Sequence, residues 1–218
     1  MKGIFITGTD TDVGKTWVSR QLIKQLSNLG IDVVPRKPVE SGWPSDETLS
    51  DAWRLTDAAN KTDTLNEVCP NRFQVAISPD RAALLEKREL TVGELKKHCL
   101  NNFEDKQFLL VEGAGGFYSP ICSDGLNADL AESLNLPIIL VVENRLGCIN
   151  QTLLTIEAIE KRGMKLIAVI LNQVSPSSHI KGMDNKSDLE SLCDYPIISI
   201  ANSNESNKPF EELASLVR

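Results

Sequence analysis

No stretch of the 218 residues approaches the ~20 apolar residues that a membrane-spanning helix needs. The opening MKGIFITG has one lysine and a short apolar run that Gly8 and Asp10 end. That is too short for a secretory leader, and the segment is expected to be a buried first strand. An excess of cations is missing too, since 23 Lys+Arg stand against 30 Asp+Glu for a net charge of −7. This excludes a sequence-independent nucleic-acid binder, which needs basic patches, and leaves no polybasic membrane anchor. Cysteines are few and scattered: Cys69, Cys99, Cys122, Cys148 and Cys193 make an odd count with no C-x-x-C pair. Neither a disulfide framework nor a zinc site is signalled, so each reads as a small buried hydrophobe. Together these absences favour a reducing, cytoplasmic setting. Aromatics reach only 5%, yet 41% hydrophobic and 24% charged residues suit an ordinary globular chain of a size that needs no staples.

What is present is an alternation of short apolar runs with longer helical patterns, the signature of a parallel α/β sheet. Ile4-Phe5-Ile6 reads as strand one, and Lys15 to Leu29 as a helix whose buried face holds Trp17, Val18, Leu22, Ile23 and Leu26. Ile31 to Val39 reads as a strand, at an edge or irregular because Pro35 cannot donate to a ladder. Glu47 to Ala59 is expected to be a helix, residues 61–77 a loop, and Pro79 a helix start leading to Lys87. Thr91 to Asn101 is expected to be helical, with Glu94 three residues after Thr91 as in a capping box. Phe108 to Val111, Ile138 to Val142 and Leu166 to Leu171 are unbroken apolar runs, as expected of strands covered on both faces. Cys148 to Lys161 is a helix stopped by Gly163. Residues 173–194 hold at most one short helix, Ile197 to Ile200 is a weak last strand, and the tail ends in a short amphipathic helix. With no repeat, linker or low-complexity tract, residues 1–218 read as one domain.

Between strand one and the first helix lies Gly8-Thr9-Asp10-Thr11-Asp12-Val13-Gly14-Lys15-Thr16. This is a phosphate-binding loop in the context that gives the motif its meaning. Gly8 and Gly14 permit backbone conformations that other residues resist. The N–H groups of about Asp12 to Thr16 can then converge on phosphate oxygens at the helix N-terminus. Lys15 is placed to balance β/γ-phosphate charge, and the Thr16 hydroxyl to ligate Mg²⁺. The spacing departs from G-x-x-x-x-G-K-T, with the first glycine one residue earlier.

Glu112 follows the strand FLLV and precedes Gly113-Ala114-Gly115-Gly116. A carboxylate at the carboxyl end of a central strand lies beside the ligand crevice and suits a Mg²⁺ shell begun by Thr16. The alternative is a solvated strand-end acid. Asp51, amid Asp46, Glu47 and Asp57, reads on its own as part of a solvated helix face. Lys37, ending the second strand, is either a surface lysine or a cation for charge developing on a transferred group.

The loop GTDTDVGKT, the segments KPVESG (37–42) and VEGAGG (111–116), and LGCINQTLLT (146–155) together resemble the dethiobiotin synthetase family over about residues 3–172. The resemblance implies a homodimer with a P-loop nucleoside triphosphate hydrolase-type fold, three-layer α/β/α with a mostly parallel sheet. It implies the conversion of 7,8-diaminopelargonic acid, CO₂ and ATP, with Mg²⁺, into dethiobiotin, ADP and phosphate. One amine captures CO₂ as a carbamate, the γ-phosphate transfers to it, and the second amine closes the ureido ring.

By the same resemblance Lys15 and Lys37 are the catalytic cations, and Thr16, Asp51 and Glu112 the metal ligands. Nucleotide contacts fall to Asp12, Val13, Gly14, Lys15, Thr16, Trp17, Glu112, Gly113, Ala114, Gly115 and Asn172. Thr11 and Ser41 face the carbamate end of the substrate. Gly147, Cys148, Ile149 and Asn150 open a helix that receives its carboxylate, in a pocket crossing the dimer interface. Neither His98 nor His179 falls in a matching motif.

Departures are Asp12 in place of a common Glu, Asp80 where a His is expected, and a tail, Ile200 to Glu205, that poorly matches the family's base-holding segment. Looser base recognition is the expectation. Two rivals recede. Partitioning-type ATPase switches carry a signature lysine where this loop has Asp10, and an amidotransferase would need a glutaminase domain for which 218 residues leave no room.

Overall fold

The computed structural model describes residues 2–175, 180–201 and 207–218. In chain order the elements begin with β1 (Gly3–Gly8), α1 (Lys15–Asn28), β2 (Val33–Arg36), β3 (Val39–Ser41), α2 (Asp51–Ala58), α3 (Leu65–Val68) and β4 (Asn71–Phe73). Then come α4 (Pro79–Leu85), α5 (Val92–Leu100), β5 (Phe108–Gly116), β6 (Pro120–Cys122), β7 (Gly125–Leu126), α6 (Asn127–Leu134) and β8 (Ile138–Glu143). The last are α7 (Cys148–Lys161), β9 (Leu166–Asn172), α8 (Asn185–Leu192), β10 (Ile197–Ile200) and α9 (Lys208–Val217).

Six strands form one parallel sheet in the order β10-β9-β8-β1-β5-β2. Its layering follows from the period-2 alternation of strand side chains. Phe5, Leu109, Val111, Leu140 and Leu171 join a core that includes residues of α4, α5, α6, α7 and α8. Their neighbours Ile4, Ile6, Leu110, Val141 and Ile170 point the other way, into a core shared with α1, α2 and α9. Strands apolar at every position are thus covered on both sides, and the fold is three-layer α/β/α as expected.

β1 lies between β8 and β5, so the chain order reverses on either side of it. Parallel strands place all carboxyl ends on one edge, and at such a reversal the helices part to leave a crevice. The loop after β1 opens into that crevice.

Four expectations need correction. The expected strand 31–39 is split: β2 ends at Arg36, and Val39–Ser41 pairs instead with β4 in a separate two-stranded sheet. Lys37-Pro38 makes the break, and β2 is the sheet edge, which tolerates Pro35. The expected helix 47–59 starts as a 3₁₀ turn, Glu47–Leu49, and restarts at Asp51 because extended Ser50 caps α2, its Oγ accepting from Trp53 N at 3.1 Å. The expected loop 61–77 contains α3 and β4, elements too short to show periodicity. Residues 117–137, for which no element was expected, contain β6, β7 and α6.

Thr91 caps α5, accepting from Glu94 N at 3.2 Å, which is the Thr91 half of the expected capping box. All five cysteines are unpaired, and four of them are buried. Among the described residues no helix is long and apolar enough to cross a membrane.

Candidate active site

The loop between β1 and α1 turns on Gly14, which caps α1 with φ 91°. A side chain there would be strained by that angle and would also collide with the Asn172 amide. Asn172, at the end of β9, donates from Nδ2 to Val13 O at 3.0 Å, tying the loop to a strand end two places away in the sheet. Asp12 also adopts positive φ, 56°. Lys15 folds back over the loop and donates to Asp10 O at 2.8 Å. Burial, and then the Lys37 cation, lower the pKa of its ammonium to about 8.

Lys37 lies just past the end of β2, 4% exposed. Its Nζ is 2.7 Å from Glu112 Oε1, 3.3 Å from Gly113 O and 3.4 Å from Asp51 Oδ2. Burial alone would pull this ammonium down, but Glu112, Asp51 and Glu40 outweigh it and hold its pKa above the ordinary lysine value. Glu112, 1% exposed in β5, gathers the other side of the site. Thr16 Oγ1 donates to its Oε1 at 2.7 Å, and Ser19 Oγ lies 2.6 Å from its Oε2. One carboxylate therefore joins the first turn of α1 to the end of β2.

Asp51 is the first residue of α2, and its partly exposed side chain lines the cleft beside Lys37 rather than an open helix face. Its backbone N–H donates to Glu40 Oε1 and that of Ala52 to Glu40 Oε2, both at 2.9 Å. Burial raises the pKa of Glu40 above the usual carboxylate value despite nearby Lys37. Burial also pushes Asp51 upward, but Lys37 and the Thr16 hydroxyl reverse this, and its pKa lies below the usual carboxylate value.

These groups surround a cleft of ≈ 360 Å³. Thr11, Asp12, Gly14, Lys15, Thr16 and Trp17 line it from the loop and the start of α1, Lys37, Glu40, Ser41, Asp51 and Arg54 from the β2–α2 region, and Ala114 and Gly115 from β5. Val13 and Glu112 lie buried behind this surface, with Gly113 inside β5. Ser41 Oγ donates to Ile77 O at 2.6 Å. Asn172 lines a separate recess of ≈ 230 Å³ beside Gly14 and Trp17.

Gly147, Cys148, Ile149 and Asn150 do open a helix, α7, with Gly147 at φ 89° as its cap. They do not line the cleft, and the Cys148 N–H donates to Arg145 O at 3.1 Å. His98 contacts Asn71 Nδ2 at 3.1 Å, away from the cleft lining, and His179 lies outside the described residues. Asp80, in the first turn of α4, keeps a buried Oδ1 that has no hydrogen-bond partner among the described residues. Of the divergent tail, Asn202 to Glu205 lie outside the described residues.

Three residues at the site escaped the sequence reading: Glu40 and Arg54, which also line the cleft, and Ser19, which contacts Glu112. Glu40 sits inside KPVESG, Arg54 is three residues after Asp51 on the same helix, and Ser19 one turn after Lys15. Helical spacing could have flagged the last two.

A hydroxyl and two carboxylates, Thr16, Asp51 and Glu112, form a hard-oxygen donor set suited to Mg²⁺. Among the described residues no group of three or more His, Cys, Asp or Glu could hold a metal. Mg²⁺ commonly takes one or two carboxylates and completes its shell with waters and phosphates.

A family model described as an AAA domain matches residues 2–206. The chain is 39% identical over 176 residues to an ATP-dependent dethiobiotin synthetase of Anaeromyxobacter dehalogenans, covering 81% of this chain and 78% of that protein. It is 38% identical over 207 residues to the ATP-dependent dethiobiotin synthetase of Methanocaldococcus jannaschii, covering 93% and 94%. Among solved structures it resembles the MinC:MinD cell division complex of Aquifex aeolicus, with a TM-score of 0.58 at 16% identity, over 97% of this chain and 86% of that one. MinD of Pyrococcus horikoshii, complexed with Mg-ADP, gives a TM-score of 0.52 at 18% identity, over 97% and 85%. The structural likeness shows a shared P-loop fold, and the sequence relatives carry the chemistry.

Proposed function

We infer the chemistry from the family to which this chain belongs, the ATP-dependent dethiobiotin synthetases, and from the cleft beneath its phosphate loop. The protein is an ATP-dependent ligase that closes the ureido ring of dethiobiotin from diaminopelargonic acid and CO₂. The observation that carries this reading to particular residues is that Lys15 and Lys37 line one cleft, close enough for the Lys37 cation to act on Lys15.

A carbamate and a triphosphate are both anionic, so bringing them together calls for cations and oriented N–H dipoles rather than an acid–base pair. One amine adds to CO₂, losing a proton, to give a carbamate. A carbamate oxygen attacks the γ-phosphorus and ADP leaves. The second amine attacks the carbonyl carbon of the mixed anhydride and loses a proton, and phosphate departs with the carbamate oxygen.

Lys15, now bonded to Asp10 O, swings to the β/γ-phosphates, and the N–H groups from Asp12 to Thr16 hold phosphate oxygens. Lys37 stays charged beside Glu112 and faces the carbamate, with Thr11 and Ser41 at the reacting end. Thr16, Asp51 and Glu112 would hold Mg²⁺, which neutralises phosphate charge when bound. Gly113, Ala114 and Gly115 let the nucleotide approach β5, while Trp17 and Asn172 flank the base.

Gly147 to Asn150 lie off the cleft, so in this reading a second copy of the chain completes the carboxylate end of the site as a homodimer. The chain acts as one cytoplasmic domain.

The test is incubation with 7,8-diaminopelargonate, bicarbonate, Mg²⁺ and ATP, with dethiobiotin sought by mass. Product dependent on all four supports the reading. A folded protein that forms none sinks it.

A further inference from the structure

Trp17 is the one aromatic side chain of α1, and phosphate chemistry has no use for it. It directly follows Thr16 and lines both the phosphate cleft and the ≈ 230 Å³ recess that Asn172, Gln173, Val174 and Ala201 also wall. Phe210 of α9 meets it edge-to-face, with ring centroids 5.3 Å apart and planes inclined at 65°. Phe210 is itself fixed, 4% exposed in the core that α9 shares with α1.

We propose that Trp17, steadied by Phe210, is a stacking platform for the nucleobase and gives the site an affinity that depends little on which base is present. The proposal rests on the reading that the loop holds the triphosphate. With phosphates anchored at the N-terminus of α1, the base end of the nucleotide must leave the cleft past its rim. Trp17 lines both the cleft and the recess beside it, so it is placed where the base would emerge. An indole offers a π-face to any base, and stacking of this kind tolerates base identity. The edge contact with Phe210 holds the ring before ligand arrives, so little side-chain freedom is lost on binding. The platform is made by two helices at opposite ends of the chain, which ties α9 to nucleotide binding.

The test compares Kd for ATP, GTP, CTP and inorganic tripolyphosphate by calorimetry in wild type, Trp17→Ala, Trp17→Phe and Phe210→Ala. Trp17→Ala should weaken all three nucleotides by about 5- to 100-fold and leave tripolyphosphate binding unchanged. Trp17→Phe should restore most of the loss, and Phe210→Ala should show a smaller loss of the same kind. Unchanged ATP affinity in Trp17→Ala overturns the proposal. So does an equal loss for ATP and tripolyphosphate, which would make Trp17 a prop of the loop. Wild type that binds neither ligand removes the reading of the loop and this proposal with it. Wild type that binds ATP but forms no dethiobiotin refutes only the reaction, and a selective loss of nucleotide in Trp17→Ala would still uphold the platform.

Discussion

The two ends of strands β2 and β5 carry ion pairs of nearly equal length and very different consequence. At the amino ends, Lys61 Nζ lies 2.6 Å from Asp32 Oδ1, with side chains 29% and 49% exposed. Gln107 donates to the other oxygen of Asp32 at 2.8 Å. At the carboxyl ends, Lys37 Nζ lies 2.7 Å from Glu112 Oε1, with side chains 5% and 0% exposed. Water screens the first pair, which is worth at most about 1 kcal/mol. Removing one member of the second leaves a buried charge uncompensated, at a cost of about 3–5 kcal/mol. Distance does not separate a surface clip from a functional site; burial does. Ions are placed out of water at the carboxyl ends because that is where the crevice and the phosphate loop lie.

The comparison breaks most directly at Lys37. Lys37→Ala should lower kcat for dethiobiotin by about 10²–10³-fold, as loss of one preorganised charge does, with Kd for ATP little changed. Unchanged kcat would remove Lys37 from its role. Glu112→Gln keeps the shape but not the charge, and should raise the Mg²⁺ concentration needed for half-maximal turnover by about 10-fold or more. A Mg²⁺ titration superimposable on wild type would take Glu112 out of the metal site.

Glu40→Gln sharpens the contrast at one remove. It weakens a buried charged cap on α2, so the midpoint of urea unfolding should report a loss of about 1 kcal/mol. The Mg²⁺ dependence should shift in the same sense as for Glu112→Gln, but less. Lys61→Ala, at the other end of the sheet, should cost at most about 1 kcal/mol and leave kcat alone.

The smallest effect is a pH dependence at that amino end. Hydrogen bonds from Lys61 and Gln107 lower the Asp32 pKa below its model-compound value of 3.8. The unfolded chain therefore takes up the proton first as pH falls. Asp32 contributes its stabilisation above pH 3.8, and that contribution is lost as pH drops through the lowered folded value. Wild type and Asp32→Asn should differ in unfolding free energy at pH 6 and converge in acid. A constant difference down to pH 2 would refute this.

Legibility in the sequence followed the same division. Long apolar strands and long helices were plain, because burial on both faces writes itself as an unbroken run at Phe108–Val111 or Ile138–Val142. The loop could be read because glycine spacing and strand-helix context are local. The elements α3 and β4 were hidden, since three or four residues show no period. The place of Asp51 could not be read from local pattern, and only the family resemblance set it apart from its acidic neighbours. A helix restart at Ser50 and a cap from Glu40 set Asp51 at the cleft beside Lys37, and the Glu40 cap comes from outside the helix. Glu40 itself looked like motif filler until its two oxygens were seen to hold the start of α2.

The central claim is that the γ-phosphate passes to a carbamate at the Lys37 end of the cleft. It is tested most directly by following oxygen from freshly dissolved C¹⁸O₂ into inorganic phosphate during brief turnover with diaminopelargonate and ATP. The account predicts one ¹⁸O in each phosphate released together with dethiobiotin. Phosphate free of ¹⁸O from CO₂, formed at the same rate as dethiobiotin, would contradict it.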